Sequence, residues 1–272
     1  MSIEIVAKFE LEEADSHRLP AYDGAQSILG IARALVLTTH YAATGTIRQR
    51  APFESGIEVF IEPPRKGSLE AIFQVVADPA VQIIGGVAVG AAGNFIYDMA
   101  KLVFSRSVGI AANPKTQALK KIDSEHSGDI DALVDAVDPT LKLGHKAINN
   151  GANTIVIIQG DNNIVSFNQS TKEYVEKSNV SKSTETQDVS IGSYNVNSGY
   201  GRAYFYDLGK TVPFTIQKTA ERGTIGAISH SLDCYANNRP SDISIKFFRI
   251  TASDGRTKNI VITGASKIKR EA

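Results

Sequence analysis

One stretch of the sequence restricts the possible folds of this chain more than any other. Residues 80–97 carry no charge and contain only Gln82 and Asn94 as polar side chains. As an α-helix this 18-residue run would be about 27 Å long, close to the hydrocarbon thickness of a bilayer. The sequence therefore predicts a glycine-rich apolar helix that is either a membrane segment or buried against other protein.

Glycines are the second unusual feature of this run. The residues predicted to form the membrane or oligomer surface of the helix are Gly85, Gly86, Gly90, Gly93 and Asn94. Gly86 and Gly90 form a G-x-x-x-G, a spacing that lets two helix backbones approach closely in a membrane. In water, four glycines cost an isolated helix several kcal/mol, about 1 kcal/mol each relative to alanine. We therefore expect the helix to pack against itself in a homo-oligomer. A nucleotide-binding loop is disfavoured because the spacing is not G-x-G-x-x-G.

The rest of the chain predicts an α+β fold in four segments. Residues 1–78 have the pattern of a β-α-β-β domain, 79–112 hold the glycine-rich helix, and 113–180 form a helical region with a β-hairpin. Residues 186–272 predict an all-β domain of short strands, one of them at 223–231. Five or six strands in so few residues favour a small β-barrel or sandwich, with an OB-like or SH3-like barrel as the specific expectation.

Charge is unevenly distributed although the formal net charge is zero. The net charge is −4 over residues 1–80, −1 over 81–185 and +5 over 186–272. Such asymmetry is typical of a protein whose basic end meets an anion. A solvated basic surface without a ligand is the alternative.

Tyrosines are concentrated at the start of this basic segment, where four of the nine in the protein fall within 13 residues. In a strand over 201–207, Arg202, Tyr204 and Tyr206 would point to one face. Single-stranded nucleic acids bind such surfaces by stacking bases on the rings and placing phosphates against basic side chains. The predicted ligand-binding residues are Tyr194, Tyr200, Arg202, Tyr204, Tyr206 and Lys210. The alternative is that these tyrosines fill a sheet or a subunit interface.

The sequence shows no catalytic or metal-binding signature. It contains neither H-E-x-x-H nor G-x-S-x-G, and its single cysteine, Cys234, cannot build a disulfide or a cysteine-based zinc site. Four acids near His126 have irregular spacing that fits a charged helix face better than a calcium loop. These acids are Asp129, Asp131, Asp135 and Asp138. We therefore expect a protein that is not an enzyme and uses no metal or cofactor.

The combination of features resembles the channel-type component of Hailong-like systems, which are membrane effectors of bacterial antiphage defence. The resemblance rests on the apolar helix 80–97 between compact domains and on the Tyr/Arg run 194–210, and it covers the chain as an architecture. It implies a homo-oligomeric ion channel in the bacterial inner membrane, gated by single-stranded DNA or a nucleotide ligand that a partner nucleotidyltransferase makes. The alternative from another class is a soluble, cytoplasmic, homo-oligomeric interaction or structural protein whose apolar helix is a subunit interface.

Overall fold

The chain folds into two compact units, Met1–Glu176 and Lys177–Ala272, here called the amino-terminal unit and the barrel unit. The structure, a computed structural model, describes residues 2–53, 56–65, 69–78, 81, 83–87, 89–125, 127–196, 199–252 and 255–268. The amino-terminal unit has 15 basic and 21 acidic residues, and the barrel unit has 14 and 8. The charge asymmetry of the sequence therefore follows the division into units.

The amino-terminal unit is built on one antiparallel sheet with the strand order β2-β3-β1-β4-β5. Its described elements are β1 (Ser2–Glu10), α1 (Ala21–Thr44), β2 (Ile57–Glu62), β3 (Glu70–Ala77), α2 (Ala92–Ser107), α3 (Gln117–Glu125), α4 (Ser127–Gly144), β4 (Thr154–Gln159), β5 (Asn162–Phe167) and α5 (Gln169–Glu176). The hairpin expected within 113–180 is β4–β5, and β4 pairs with β1. Residues 1–78 therefore do not form a separate body, because their sheet is completed by strands from much later in the chain.

The core of this unit lies between the sheet and helices α1, α2 and α4. On β1, alternate side chains, such as Ile3, Ile5 and Phe9, are buried in one apolar cluster with residues of these helices. Helices α1 and α4 are in close contact at Gly30. A Cβ added there would lie 2.3 Å from the amide nitrogen of Gly144, so only glycine permits this helix–helix contact.

The prediction of a continuous helix over residues 80–97 is wrong. The described part of this run contains two short 3₁₀ turns, Ile84–Gly86 and Val89–Ala91, before α2 begins. Gly85 has φ +76° and Gly86 has φ +67°. A right-handed helix cannot pass through residues in this left-handed region, which glycine adopts at little cost. The glycines therefore serve a folded turn, and the expected G-x-x-x-G helix surface does not exist.

Helix α2 uses the rest of the apolar run in the core. Gly90 is exposed before the helix, and Gly93 and Asn94 lie in its first turn, with Asn94 exposed. Phe95 and Ile96 are buried in the core of the amino-terminal unit. Within the described ranges, no helix has both the length and the hydropathy needed to cross a bilayer. The membrane and oligomer role predicted for Gly85, Gly86, Gly90, Gly93 and Asn94 thus lacks the helix on which it was based, while Ala80 and Gln82 lie outside the described residues.

The barrel unit confirms the prediction of a small β-barrel. Its described elements are β6 (Asn179–Val180), β7 (Glu185–Asn195), β8 (Tyr200–Phe205), β9 (Lys210–Ile216), α6 (Thr224–Ala236), β10 (Asp242–Thr251) and β11 (Thr257–Lys267). Five strands close in the order β7-β8-β9-β11-β10 and back to β7, and β6 adds to β10. The β9–β11 pair is parallel and the other pairs are antiparallel. Closure leaves a core of inward-facing side chains and an outer face that is available to ligands.

The strand predicted at 223–231 is instead the beginning of helix α6. Its buried residues include Ala227, Ile228, Ser231 and Cys234, which recur at helical spacing. Small and apolar residues alternate at the start of this segment, which is also the sequence pattern expected of a strand. The longer helical period becomes visible only when residues up to 236 are included, and it determines which face packs on the barrel.

Candidate ligand-binding face of the barrel

Strand β8 places the predicted aromatic and basic side chains on the outside of the barrel. Ala203 and Phe205 are fully buried inside it. Tyr200, Arg202 and Tyr204 alternate with them and face outward, and Tyr200 and Tyr204 are 51% and 39% exposed. The predicted alternation along this strand is therefore confirmed for Arg202 and Tyr204, and it adds Tyr200 to the same row. We call this row the outer tyrosine face.

Tyr206 follows the end of β8 and is held rigidly beside this face. Its ring meets the Tyr204 ring edge-on, with 5.3 Å between centroids and 83° between planes. Its hydroxyl donates a hydrogen bond of 2.5 Å to Asp242 Oδ1. That hydrogen bond, followed by burial and the Asp242 charge, raises the pKa of Tyr206 to about 12. The phenol thus stays protonated and anchored at neutral pH.

A concave site of about 340 Å³ lies where the outer surface of β7, β8 and β9 meets helix α6. Its lining residues are Ser190, Gly192, Tyr204, Tyr206, Thr211, Tyr235 and Ser241. Ser190 and Thr211 are the residues paired with Tyr204 on the two neighbouring strands. We call this site the tyrosine cup. Three of its lining residues are tyrosines, and none of the described residues that line it is charged.

A hydrogen-bond network fixes the serine side of the cup. Ser190 Oγ and Ser241 Oγ lie 2.6 Å apart, so one hydroxyl donates to the other. Ser231 on α6 donates to the Ser241 carbonyl oxygen, and its own Oγ accepts from the Ile191 N–H at 3.0 Å. Helix α6 is thereby tied to β7 and to the segment before β10, which keeps Tyr235 in place opposite the strands.

A β-bulge shapes the edge of the cup. The β7–β8 register shifts between Ile191 and Ser193, which leaves Gly192 as the extra residue of the bulge. A Cβ added at Gly192 would meet only the Arg202 carbonyl oxygen, at 3.9 Å, within 4 Å. The space beside Gly192 is therefore open.

Two of the predicted ligand-binding residues lie away from this face. Tyr194 pairs with Gly201, and its ring stacks on Phe214 with 6.2 Å between centroids, so it covers the barrel core. Lys210 pairs with Phe205, is only 5% exposed and belongs to the inward-facing set of β9. Neither residue shares the outer tyrosine face, because a pleated strand sends successive side chains to opposite sides.

Charge at the face comes from Arg202. Several cations of the barrel unit already have acidic partners in the pairs Arg239–Asp233, Lys246–Glu221 and Arg249–Glu185. Within the part of the chain that the structure describes, the Arg202 guanidinium has no hydrogen-bond or ion-pair partner. Its five N–H donors are thus available to an anion.

Tyr235 is the functional candidate that the sequence interpretation missed. It is 58% exposed on α6 and contributes the third ring of the cup. The strand predicted at 223–231 hid it, because that assignment ended before Tyr235. Extending the window to 236 would have revealed a helix with its buried residues on one side and Tyr235 on the other.

Cys234 and the acids near His126 are the other residues that the sequence analysis considered. Cys234 is buried on α6, with its Sγ 3.7 Å from His230 Nε2 on the preceding turn. Among the described residues, no three histidine, cysteine, aspartate or glutamate side chains are grouped so that they could hold a metal ion. His126 lies outside the described residues.

Comparison with known proteins separates the same two units. Residues 183–266 match a family described as Family of unknown function (DUF7947). No curated protein and no solved structure matches the chain. Residues 5–176, more than half of the chain, match the family described as Domain of unknown function (DUF7946). The chain therefore belongs to the DUF7946 family.

Proposed function

We propose that the barrel unit binds single-stranded nucleic acid on its outer tyrosine face. The observation that carries the proposal is the row Tyr200–Arg202–Tyr204, which puts two exposed rings and an unpaired guanidinium on one side of one strand. Successive outward side chains of a strand are about 7 Å apart. Tyr200 and Tyr204 are therefore about 14 Å apart, with Arg202 between them. Two bases can stack on the rings while Arg202 contacts a phosphate of the backbone that joins them, and each stacked base contributes about 1–3 kcal/mol.

The topology of the barrel supports this proposal. A closed barrel in which the first strand pairs with the second and fourth, the third pairs in parallel with the fifth, and a helix joins the third to the fourth has the strand order of an OB-fold. OB-folds bind oligonucleotides and oligosaccharides on the face of their second and third strands. In this barrel those strands are β8 and β9, and β8 carries the outer tyrosine face.

The charge of the unit supports binding to a polyanion in particular. With 14 basic and 8 acidic residues, the barrel unit attracts anions over distances of the order of the Debye length. Polyanion binding is salt-dependent because bound phosphates release their counterions. This attraction favours a nucleic acid over a neutral oligosaccharide as the ligand of the face.

The test is fluorescence anisotropy of the full chain with labelled single-stranded 12-mers of DNA and RNA. Tyr204→Ala should weaken binding about 5- to 150-fold, the range that one stacked base contributes. Arg202→Ala should reduce the slope of log K against log salt by about 0.7, and Arg202→Lys should restore it. Lys182→Ala, an exposed lysine of the same unit, is the charge control. Equal affinities and salt slopes across this series would refute the proposal.

The wider role that the sequence led us to expect remains a prediction. A homo-oligomeric channel in antiphage defence, its inner-membrane location and a nucleotidyltransferase partner rest on the resemblance alone, since the helix at 80–97 is interrupted. The soluble interaction protein is the alternative. Fractionation and mass determination with and without detergent distinguish them. A detergent-dependent oligomer favours the channel, and a homo-oligomer that needs no detergent favours the interaction protein.

A further inference from the structure

We infer that the tyrosine cup holds one nucleobase of the bound strand. This base is rotated away from the other bases, which stack along β8, and the phosphates pass outside the cup beside Arg202. This inference rests on the proposed function and specifies what the cup adds to it. The outer tyrosine face alone would bind any strand by stacking. The cup would enclose a single base and contact its edge.

The size of the cup fits one ring system. Its volume of about 340 Å³ is near the lower end of the range for small-molecule sites, about 300–1,000 Å³. Tyr204 and Tyr206 form one corner with their planes at 83°, and Tyr235 faces them from α6. A planar ligand can lie against one ring and meet the edge of the other, the two favourable arrangements of aromatic pairs.

The chemistry of the lining fits a base better than a phosphate. None of the described residues that line the cup is charged, so a phosphate entering it would lose its hydration without gaining a cation from them. Among the described residues, the hydroxyls of Tyr204, Thr211 and Tyr235 have no hydrogen-bond partner. Each hydroxyl can donate one hydrogen bond and accept others, which suits the mixed donors and acceptors on the edge of a base.

The cup is also formed in advance of binding. The Tyr206–Asp242 hydrogen bond fixes one of the rings, and the Ser190–Ser241 contact with the Ser231 bridge fixes the serines that line the cup. A site already held by such contacts loses little side-chain entropy when it binds, and that loss otherwise reduces affinity. Tyr206 is held by its hydrogen bond to Asp242, and the Tyr204 ring contacts the Tyr206 ring edge-on.

Gly192 supplies a way to close the cup without removing a ligand-binding side chain. It lies on the bulge of β7, where a Cβ meets no atom closer than 3.9 Å. Valine suits strands, so Gly192→Val should fill part of the cup while the barrel remains folded. Gly226→Ala is the matched control, because Gly226 is on α6 and an added Cβ has no atom within 4 Å.

The experiment uses the full chain and a 12-mer of abasic deoxyribose phosphates that carries one central base, compared with the wholly abasic 12-mer. The single base fixes the register of the strand. In the unaltered protein the base should raise affinity about 5- to 150-fold over the abasic strand. Gly192→Val and, independently, Tyr235→Ala should abolish this increment while binding to the abasic strand is preserved. Gly226→Ala should keep both, and circular dichroism of each variant checks folding.

The outcomes separate the inference from the proposed function. If no strand binds the unaltered protein, both fail. If strands bind but the single-base increment survives in Gly192→Val and Tyr235→Ala, the cup does not hold the base, although the nucleic-acid proposal stands. Loss of the increment in Tyr200→Ala with its retention in Gly192→Val would place the base on the open face and overturn the inference. Binding of a neutral oligosaccharide that Gly192→Val blocks would assign the cup to a sugar and overturn it too.

Discussion

Lowering the pH from 7 to 4 should destabilise the amino-terminal unit through His145. The ring is fully buried, with Nδ1 2.7 Å from the Leu141 carbonyl oxygen, and it stacks on Phe167 at 4.2 Å. A carbonyl oxygen can only accept, so Nδ1 carries the proton of the neutral ring. Nε2 lies 2.9 Å from Thr171 Oγ1, whose single proton can go either to Nε2 or to the Asn168 carbonyl oxygen 3.0 Å away. Protonation of the ring would place a charge in this buried core, where it would lose its hydration.

The magnitude follows from the pKa. Burial lowers the pKa of His145 to about 4, the hydrogen bond to Leu141 opposes this, and the Lys172 charge adds to the lowering. In the unfolded chain the pKa is about 6.5. The unfolded state thus binds a proton first as the pH falls. Stability is fully present above about pH 6.5 and decreases by up to about 3 kcal/mol as the pH approaches 4. His40, whose pKa is lowered by burial and by Arg48, contributes with the same sign.

Hydrogen exchange measured by mass spectrometry on the full chain is the appropriate assay, because it reports each unit separately in a protein that need not unfold in one step. Protection of peptides from α4 and β5 should fall between pH 6.5 and 4.5 after correction for intrinsic exchange rates. In His145→Gln this dependence should be weaker. His17→Asn is the control, because His17 is exposed and asparagine tolerates its left-handed backbone (φ +57°).

A direct titration of His145 in the unaltered protein is a test that does not depend on whether His145→Gln folds. In the NMR spectrum of the unaltered protein, the His145 ring should show no protonation shift until the pH approaches 4. A midpoint near 6.5 would refute the reasoning. So would an identical pH dependence of protection in the unaltered protein and a folded His145→Gln.

Three further predictions concern stability and binding. Gly30→Ala should destabilise the amino-terminal unit by several kcal/mol, since its Cβ meets backbone atoms at 2.3 Å, whereas Gly226→Ala should stabilise the barrel unit by up to about 1 kcal/mol; denaturant unfolding by circular dichroism compares them. Asp98→Ala should lower the free energy of unfolding by about 3 kcal/mol in the same assay. The buried carboxylate accepts three hydrogen bonds at the start of α3, and its removal leaves two backbone N–H groups without an acceptor. Phe205→Ala should cost about 3–5 kcal/mol of stability, whereas the neighbouring Tyr204→Ala should leave stability nearly unchanged and weaken strand binding. Equal stability losses in this last pair would contradict the assignment of the two faces of β8.

The sequence predicted those parts of the fold that depend on short-range pattern. The alternation along β8 is of this kind, because period-two polarity over six residues depends on neither turn geometry nor distant partners. The sheet of the amino-terminal unit could not be predicted in the same way. β1 pairs with β4, about 150 residues later, and no local pattern encodes that choice. This is why residues 1–78 resembled a complete domain in the sequence.

The glycine-rich run shows a different limit. Its composition correctly indicated buried apolar residues, since Phe95 and Ile96 are in the core. Composition could not distinguish a glycine tolerated in a helix from one needed for a left-handed turn. Both give an uncharged run, and only the backbone angles of Gly85 and Gly86 separate them. The membrane hypothesis depended on that ambiguous feature.

The aromatic run at 194–210 is two clusters that the pleat of the strand separates. Tyr200, Tyr204 and Tyr206 form one side, where a ligand can reach them, and Tyr194 and Phe205 serve the barrel core on the other. The site predicted from the number of tyrosines in the sequence was therefore too large, because it included residues that face the barrel core. Tyr235 on helix α6 lines the cup together with Tyr204 and Tyr206, although it lies outside the aromatic run. The proposed ligand-binding surface depends partly on the alternation of side chains along β8, which the sequence shows. It depends also on the docking of α6, which is determined by the buried residues of that helix and their hydrogen bonds to β7.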